Sequence, residues 1–373
     1  MQFKNIIGQN SIKEHLIHTV KSGRISHAQL FFGPPGIGKL PLAIAFAQYL
    51  SCENPSDNDS CGVCPSCKKF EKLVHPDLHF VFPVIKADKK KPVSDSYIKQ
   101  WRETILNQPY FTFQQWLEQL ESQNKQASIY RDEATEIIRK LSLKTYESEF
   151  KTMIIWLPEK MNRTAANKLL KMIEEPPPKT VFLLISEDAN NVLPTIFSRT
   201  TPVKIPAIDT KELANYLSEK YNIDHAEAMT ISRMSRGNLA EARNHLAVSD
   251  ARKEHLDKMK TWLPAMINKN IAECIEWAEN TGALSRETQK GFLIYTLRFF
   301  REMLMMRTKN RSLIFLTEDE KEFAGKISHH ISLKKIHNIQ EQIETAHYHI
   351  ERNGTSKIIL LDLSFNLIRL IQK

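Results

Sequence analysis

The chain has 373 residues, a formal net charge of +9, 42% hydrophobic residues and 25% charged residues. That length is more than one hydrophobic core usually serves, so two or three domains are expected. The composition is that of an ordinary folded protein, and no apolar run approaches the roughly 18 residues of a membrane span, which argues against a transmembrane role. The first ten residues, MQFKNIIGQN, lack a signal-peptide core, so a cytoplasmic location is expected, and the five cysteines are not expected to form structural disulfides. The positive charge is compatible with a nucleic-acid partner, although it is diluted over a long chain.

In chain order, AQLFF (28–32) is a short apolar run ending at a glycine-rich turn, which predicts a buried strand. Gly33, Gly38 and Lys39 then satisfy G-x-x-x-x-G-K, with Gly36 between them. In such a loop backbone N–H groups and the lysine hold phosphates, and a following Ser or Thr hydroxyl ligates Mg²⁺. Here the following residue is Leu40. LPLAIAFAQYL (40–50) continues as a helix.

Cys52, Cys61, Cys64 and Cys67 come next; the last three form C-x-x-C-x-x-C, with Cys52 eight intervening residues upstream. Two-residue gaps let neighbouring thiolates reach one ion, and four thiolates at about 2.3 Å make a closed, structural zinc site without a water position. The spacing therefore predicts a zinc module at about 52–67 and no metal catalysis. Cys274 sits in a helical pattern and reads as a small buried apolar residue.

Residues 86–128 begin polar and charged (KADKKKPVSDS), then carry two tryptophans and several other aromatics. They read as an inserted, partly helical surface excursion, with a dedicated binding surface as the alternative. KTMIIWL (151–157) and TVFLLIS (180–186) predict two further buried strands, and TAANKLLKMIEE (164–175) a helix stopped by Pro176, Pro177 and Pro178. Alternating helices and continuously apolar strands predict an α/β domain with a parallel sheet covered on both faces. From Pro206 onward only helical patterns appear, including TKELANYLSEKYN, a segment stopped at Gly237, GFLIYTLRFFREMLMM and SKIILLDLSFNLIRLI. Boundaries are expected near 206 and 265.

IIGQNSIKEHL, SHAQLFFGPPGIGK, the cysteine cluster, HPDLHF, NRTAANKLLKMIEEPP and LPTIFSRT, in that order, resemble the bacterial clamp-loader subunits of the AAA+ superfamily. The likeness covers about 1–85 and 129–205 strongly, continues more weakly over 206–265, and is architectural beyond. It implies an AAA+ P-loop domain (1–205) with an inserted zinc module, a helical lid domain (206–265) and a C-terminal helical collar domain (266–373). Within the family the chain resembles the delta-prime type of DNA polymerase III more than the ATP-hydrolysing tau/gamma type. The acids expected at the end of the second strand are Trp156 and Leu157, Glu159 falls beyond that strand, and the lid position of the phosphate-sensing arginine is Ala240. Mg²⁺ demands oxygen ligands that Leu40, Trp156 and Leu157 do not offer.

No intrinsic ATPase activity and no Mg²⁺ site are therefore expected of this subunit of a DNA-directed DNA polymerase. ATP binding is doubtful, although Lys39 at a helix N-terminus leaves weak nucleotide occupancy open. Ser198, Arg199 and Thr200 resemble the family's S-R-C motif, which implies that Arg199 is an arginine finger acting in trans on a neighbouring ATPase subunit. The implied partners are the tau/gamma and delta subunits, and, through the complex, the sliding clamp and primed DNA. Two other readings stay open: an active tau/gamma-type ATPase, and a zinc-containing DNA-binding adaptor with a relic ATPase fold.

Overall fold

A computed structural model describes residues 1–86, 91–120, 126–306 and 316–372, which form two compact units, Met1–His245 and Leu246–Lys373. The first unit is built on a five-stranded sheet: β1 (Ala28–Phe32), β2 (Leu78–Val81), β3 (Lys151–Trp156), β4 (Thr180–Ser186) and β5 (Thr201–Lys204). All neighbours are parallel, in the order β2-β3-β4-β1-β5. Every residue of β3 and β4 is buried, as expected of strands covered on both faces. The helices of this part are α1 (Asn10–Lys21), α2 (Lys39–Leu50), α3 (Pro65–Glu71), α4 (Ile98–Asn107), α5 (Phe113–Gln119), α6 (Arg131–Ser142), α7 (Arg163–Glu174) and α8 (Pro194–Phe197). α2 is buried along its whole length, so the loop preceding it is held rigidly against the sheet. α7 starts where the Asn162 side chain accepts the Ala165 N–H at 2.7 Å, and it stops two residues before Pro176.

β2 and β5 were not among the sequence-predicted strands. β2 has four residues, and β5 buries only Val203, so neither presents an apolar run long enough to stand out.

The stretch 86–128 also departs from expectation. Residues 87–90 and 121–125, which include part of the charged run, lie outside the described residues. The rest is not a surface excursion: Trp101 and Trp116 are fully buried, and Tyr110 and Phe111 nearly so. Trp101 stacks on Phe82 with ring centroids 4.0 Å apart and lies edge-on to Trp116 at 5.0 Å. The Trp116 indole N–H donates to the Pro83 carbonyl at 2.8 Å. Aromatic rings of this size belong to a core, and here they extend it beyond the sheet edge at β2.

α9 (Thr210–Tyr221) and α10 (His225–Met234) complete the first unit, and the unit boundary falls within α11 (Leu239–Ile267). The second unit continues with α12 (Ile271–Gly282), α13 (Arg286–Met306), α14 (Glu318–Ser328), α15 (Leu333–Glu351) and α16 (Ser356–Gln372). Its core stacks Trp262 on Trp277 at 4.4 Å, and Trp262 Nε1 donates to Ser364 Oγ at 2.8 Å. Cys274 is fully buried there, as its helical pattern predicts. Buried Glu320 accepts Arg252 Nε at 2.6 Å and the Tyr295 hydroxyl at 2.8 Å, so a charge taken from water is fully paired. No helix among the described residues is long and apolar enough to cross a membrane.

Glu133 on α6 is buried and accepts the Ser94 N–H at the base of the aromatic segment. Burial pushes its carboxyl up from an ordinary 4.5 to about 7. The folded state thus favours the protonated form. The resulting stability is full below pH 4.5 and is lost as pH rises through about 7. Glu133→Gln should flatten the decline in melting temperature across that window; a decline of equal steepness in the variant would contradict this assignment.

Candidate functional site

The loop between β1 and α2 has the turn geometry its glycines predict. Gly36 and Gly38 have φ of +69° and +92°, conformations that L side chains rarely adopt. Both also lie under close neighbours. A Cβ on Gly38 would sit 2.5 Å from Tyr110 Cε1, and one on Gly36 would sit 1.7 Å from Asn238 Oδ1. The loop is thus covered by a tyrosine from the aromatic segment and an asparagine at the start of α11. Leu239 N–H donates to the Gly36 carbonyl at 3.0 Å and fastens that helix to the loop.

Lys39 is turned inward. Its ammonium donates to the Gly33 carbonyl at 2.7 Å and to the Pro34 carbonyl. Burial lowers its pKa to about 8, opposed by the nearby carboxylates Glu187 and Glu159. Lys39, Leu40, Pro109, Tyr110, Phe111, Trp156 and Glu187 help line the remaining cavity, which measures about 20 Å³. Roughly 10–15 Å³ is needed for a single water, so one water nearly fills it.

The positions that would carry Mg²⁺ ligands are buried and largely apolar. Leu40 is 5% exposed, and Trp156, the last residue of β3, is 4% exposed. The Trp156 ring lies 5.2 Å from both Phe111 and Trp101. Leu157 adopts a left-handed conformation at φ +58°, which ends the strand. Glu159 follows in a 3-10 turn, where it accepts the Glu187 N–H at 2.9 Å. Its carboxylate therefore serves the backbone after β4. Ala240 is fully buried.

Cys52, Cys61, Cys64 and Cys67 come together with their sulfur atoms all within 4.8 Å of one another, and could hold a metal ion. Cys61 and Cys67 Sγ are 3.9 Å apart, close to the edge of a tetrahedron of thiolates around one ion. Backbone N–H groups point at the sulfurs: Cys61 N–H at Cys52 Sγ (3.2 Å), Cys64 N–H at Cys61 Sγ (3.3 Å) and Cys67 N–H at Cys64 Sγ (3.4 Å). Hydrogen bonds from the Val63 and Cys64 N–H groups draw the Cys61 thiol down, whereas burial pushes the Cys52 and Cys67 thiols up. The donor set and its hydrogen bonds fit a structural metal. This loop also anchors the chain start, since Asp59 accepts the Phe3 and Lys4 N–H groups at 3.0 Å each.

Arg199 lies apart from these residues in chain and fold, in the turn between α8 and β5. Its Nε donates to Glu174 Oε2 at 2.9 Å and its Nη1 to the Thr195 carbonyl at 3.1 Å, with a third of the side chain exposed. One face of the guanidinium is thereby fixed to the end of α7.

Sequence reasoning missed Tyr110, Phe111, Asn238, Glu174 and also Asp77. The Asp77 carboxylate accepts the N–H groups of Tyr146, Glu147 and Ser148 at 2.7–2.9 Å and shapes the approach to β3. The one available signal for the first two was the aromatic density of NQPYFTFQQW, which no charged or polar motif accompanies.

A family profile described as "DNA polymerase III, delta subunit" matches residues 8–209, just over half of the chain. Among curated relatives, DNA polymerase III subunit gamma of Buchnera aphidicola (strain APS) is 28% identical over 249 residues, covering 65% of this chain and 57% of that protein. DNA polymerase III subunit delta' of Bacillus subtilis is 28% identical over 234 residues, covering 63% and 58%. The chain thus spans less than two thirds of these relatives. A solved gamma subunit-related protein of Thermotoga maritima aligns over 98% of this chain and all of its own, at 14% identity and a TM-score of 0.35.

Leu40 and Trp156 bring no oxygen ligand to the cavity, and its lining carboxylate Glu187 lies near the Lys39 ammonium. Leu40→Thr should therefore yield no magnesium-dependent phosphate release; turnover above a protein-free blank would contradict this account of the site.

Proposed function

The chain belongs to the DNA polymerase III delta subunit family, and from that premise we propose that it is a non-hydrolysing, delta-prime-type subunit of the DNA polymerase III clamp loader. The observation that carries this is the covered P-loop: Tyr110 lies over Gly38, and Leu40 and Trp156 line the cleft where oxygen ligands for a nucleotide's metal would be needed. An ATP-hydrolysing tau/gamma-type subunit needs phosphate contacts, Mg²⁺ ligands and an acid that polarises water. Lys39 spends its ammonium on loop carbonyls, and Glu159 spends an oxygen on the Glu187 N–H.

Such a subunit contributes through its neighbours. Residues 206–265 would be its lid and 266–373 its part of a helical collar with the tau/gamma and delta subunits. The assembly would load the sliding clamp onto primed DNA in the cytoplasm. Arg199 would reach the ATP site of an adjacent subunit, where a fixed planar cation neutralises charge developing on the transferred phosphoryl group. Its bond to Glu174 supports this role, because a guanidinium already oriented loses less freedom on engaging phosphate.

The four cysteines would hold one structural zinc. The ion would supply a cross-link between the segment after α2 and the start of α3, while Asp59 in the same loop holds the first residues. A structural metal of this type contributes directly to folding free energy.

Two outcomes are expected. Protein purified without chelator should carry about one zinc per chain, and Cys64→Ser should lose it with a lower melting temperature; a folded, metal-free wild type would remove the zinc site. Arg199→Ala should leave the chain folded and assembled, yet depress DNA-stimulated ATP turnover of the complex by about tenfold or more. Unchanged turnover at saturating ATP would remove the trans role.

A further inference from the structure

The connection between α4 and α5 is only five residues long, yet it makes polar contacts with two separate parts of the first unit. The Tyr110 hydroxyl accepts the Ile7 N–H at 3.0 Å, from the segment before α1. The Tyr110 carbonyl accepts Arg243 Nη1 at 3.4 Å, from α11. Arg243 Nε in turn donates to the Tyr221 hydroxyl at 3.0 Å, at the end of α9. The Tyr110 ring covers Gly38, and Phe111 packs on Trp156.

The connection is itself rigidly placed. α4 ends at Asn107, and Thr112 opens α5 with a capping box: its hydroxyl accepts the Gln115 N–H and the Gln115 side chain accepts the Thr112 N–H. Trp101 behind it lies 5.5 Å from Phe111, edge to face. A preorganised segment of this kind loses little entropy on occupying a cleft.

We propose that Pro109–Phe111 is a built-in occupant of the P-loop pocket, an intramolecular ligand that takes the place of nucleotide and holds α9 and α11 on the loop. This rests on the reading of the pocket as nucleotide-free. The occupant bridges the loop, the N-terminal segment and α11, three groups that a bound small molecule would otherwise have to join. Trp156 is then the seat of Phe111, and its indole in place of a carboxylate is a positive feature of the site. The fixed state of α9–α11 follows from covalent chain geometry and does not respond to ATP concentration.

The test is hydrogen exchange on the full chain with ADP as probe, in EDTA so that no Mg²⁺ is required. In the wild type, residues 5–9, 35–44 and 236–245 should exchange slowly and be unaffected by millimolar ADP. Tyr110→Ala should accelerate exchange in those segments about tenfold or more, leave β3, β4 and residues 52–67 unchanged, and gain measurable ADP binding. Unchanged exchange in Tyr110→Ala would overturn the proposal while leaving the non-hydrolysing reading intact. Faster exchange without ADP binding would also overturn it, because the segment would then be packing and not an occupant. ADP binding by the wild type equal to that of the variant would overturn the proposal and the nucleotide-free reading of the pocket, and would leave the non-hydrolysing reading intact. If Tyr110→Ala fails to fold, Tyr110→Phe decides: it keeps the ring, so faster exchange is expected at Ile7 alone, and wild-type exchange there would refute the hydroxyl bridge.

Discussion

A bare Cα at position 38 is the constraint on which the first unit turns. With no Cβ there, the Tyr110 ring can approach the loop closely: a Cβ at 38 would sit 2.5 Å from its Cε1. The neighbouring features are consistent with that contact. Lys39 folds back onto carbonyls of its own loop, Leu40 and Trp156 present hydrocarbon and indole, and α11 is fastened by its first N–H group, that of Leu239, to the Gly36 carbonyl. The loop is a packing surface for these side chains, held by burial and ring contacts.

Much of this was legible from the residues. Strands covered on both faces show as continuous apolar runs, so β1, β3 and β4 stood out. Cysteine spacing reports reach around one ion, and the four sulfurs do converge. The absence of oxygen at 40 and 156 could be read directly. What could not be read was where the segment after β2 goes. Burial of Trp101, Tyr110, Phe111 and Trp116 depends on contacts with Phe82, Gly38 and Trp156, far away in the chain, and local periodicity carries no trace of such partners. The inward turn of Lys39 was equally hidden, because it depends on where the loop carbonyls of Gly33 and Pro34 point.

Charge is used sparingly and locally in this chain. Asp77 caps three N–H groups, Glu159 one, and Glu320 holds an arginine and a tyrosine, each carboxylate being matched to donors within its own unit. Buried carboxylates of this kind position backbone and side chains, although Glu159 Oε2 has no hydrogen-bond partner among the described residues. Arg199 differs, since its bond to Glu174 leaves part of the guanidinium in solvent and available to another molecule.

The ring over Gly38 also limits what this part of the chain can accept. Any side chain added at 38 collides with Tyr110, and an acid placed at 156 would be enclosed by Phe111, Trp101 and Phe113, beside a Lys39 ammonium already engaged by loop carbonyls. Each such change lowers stability. Positions 38 and 156, distant in sequence, are therefore tied to one another through the rings between them, and neither can be altered without disturbing the other's surroundings.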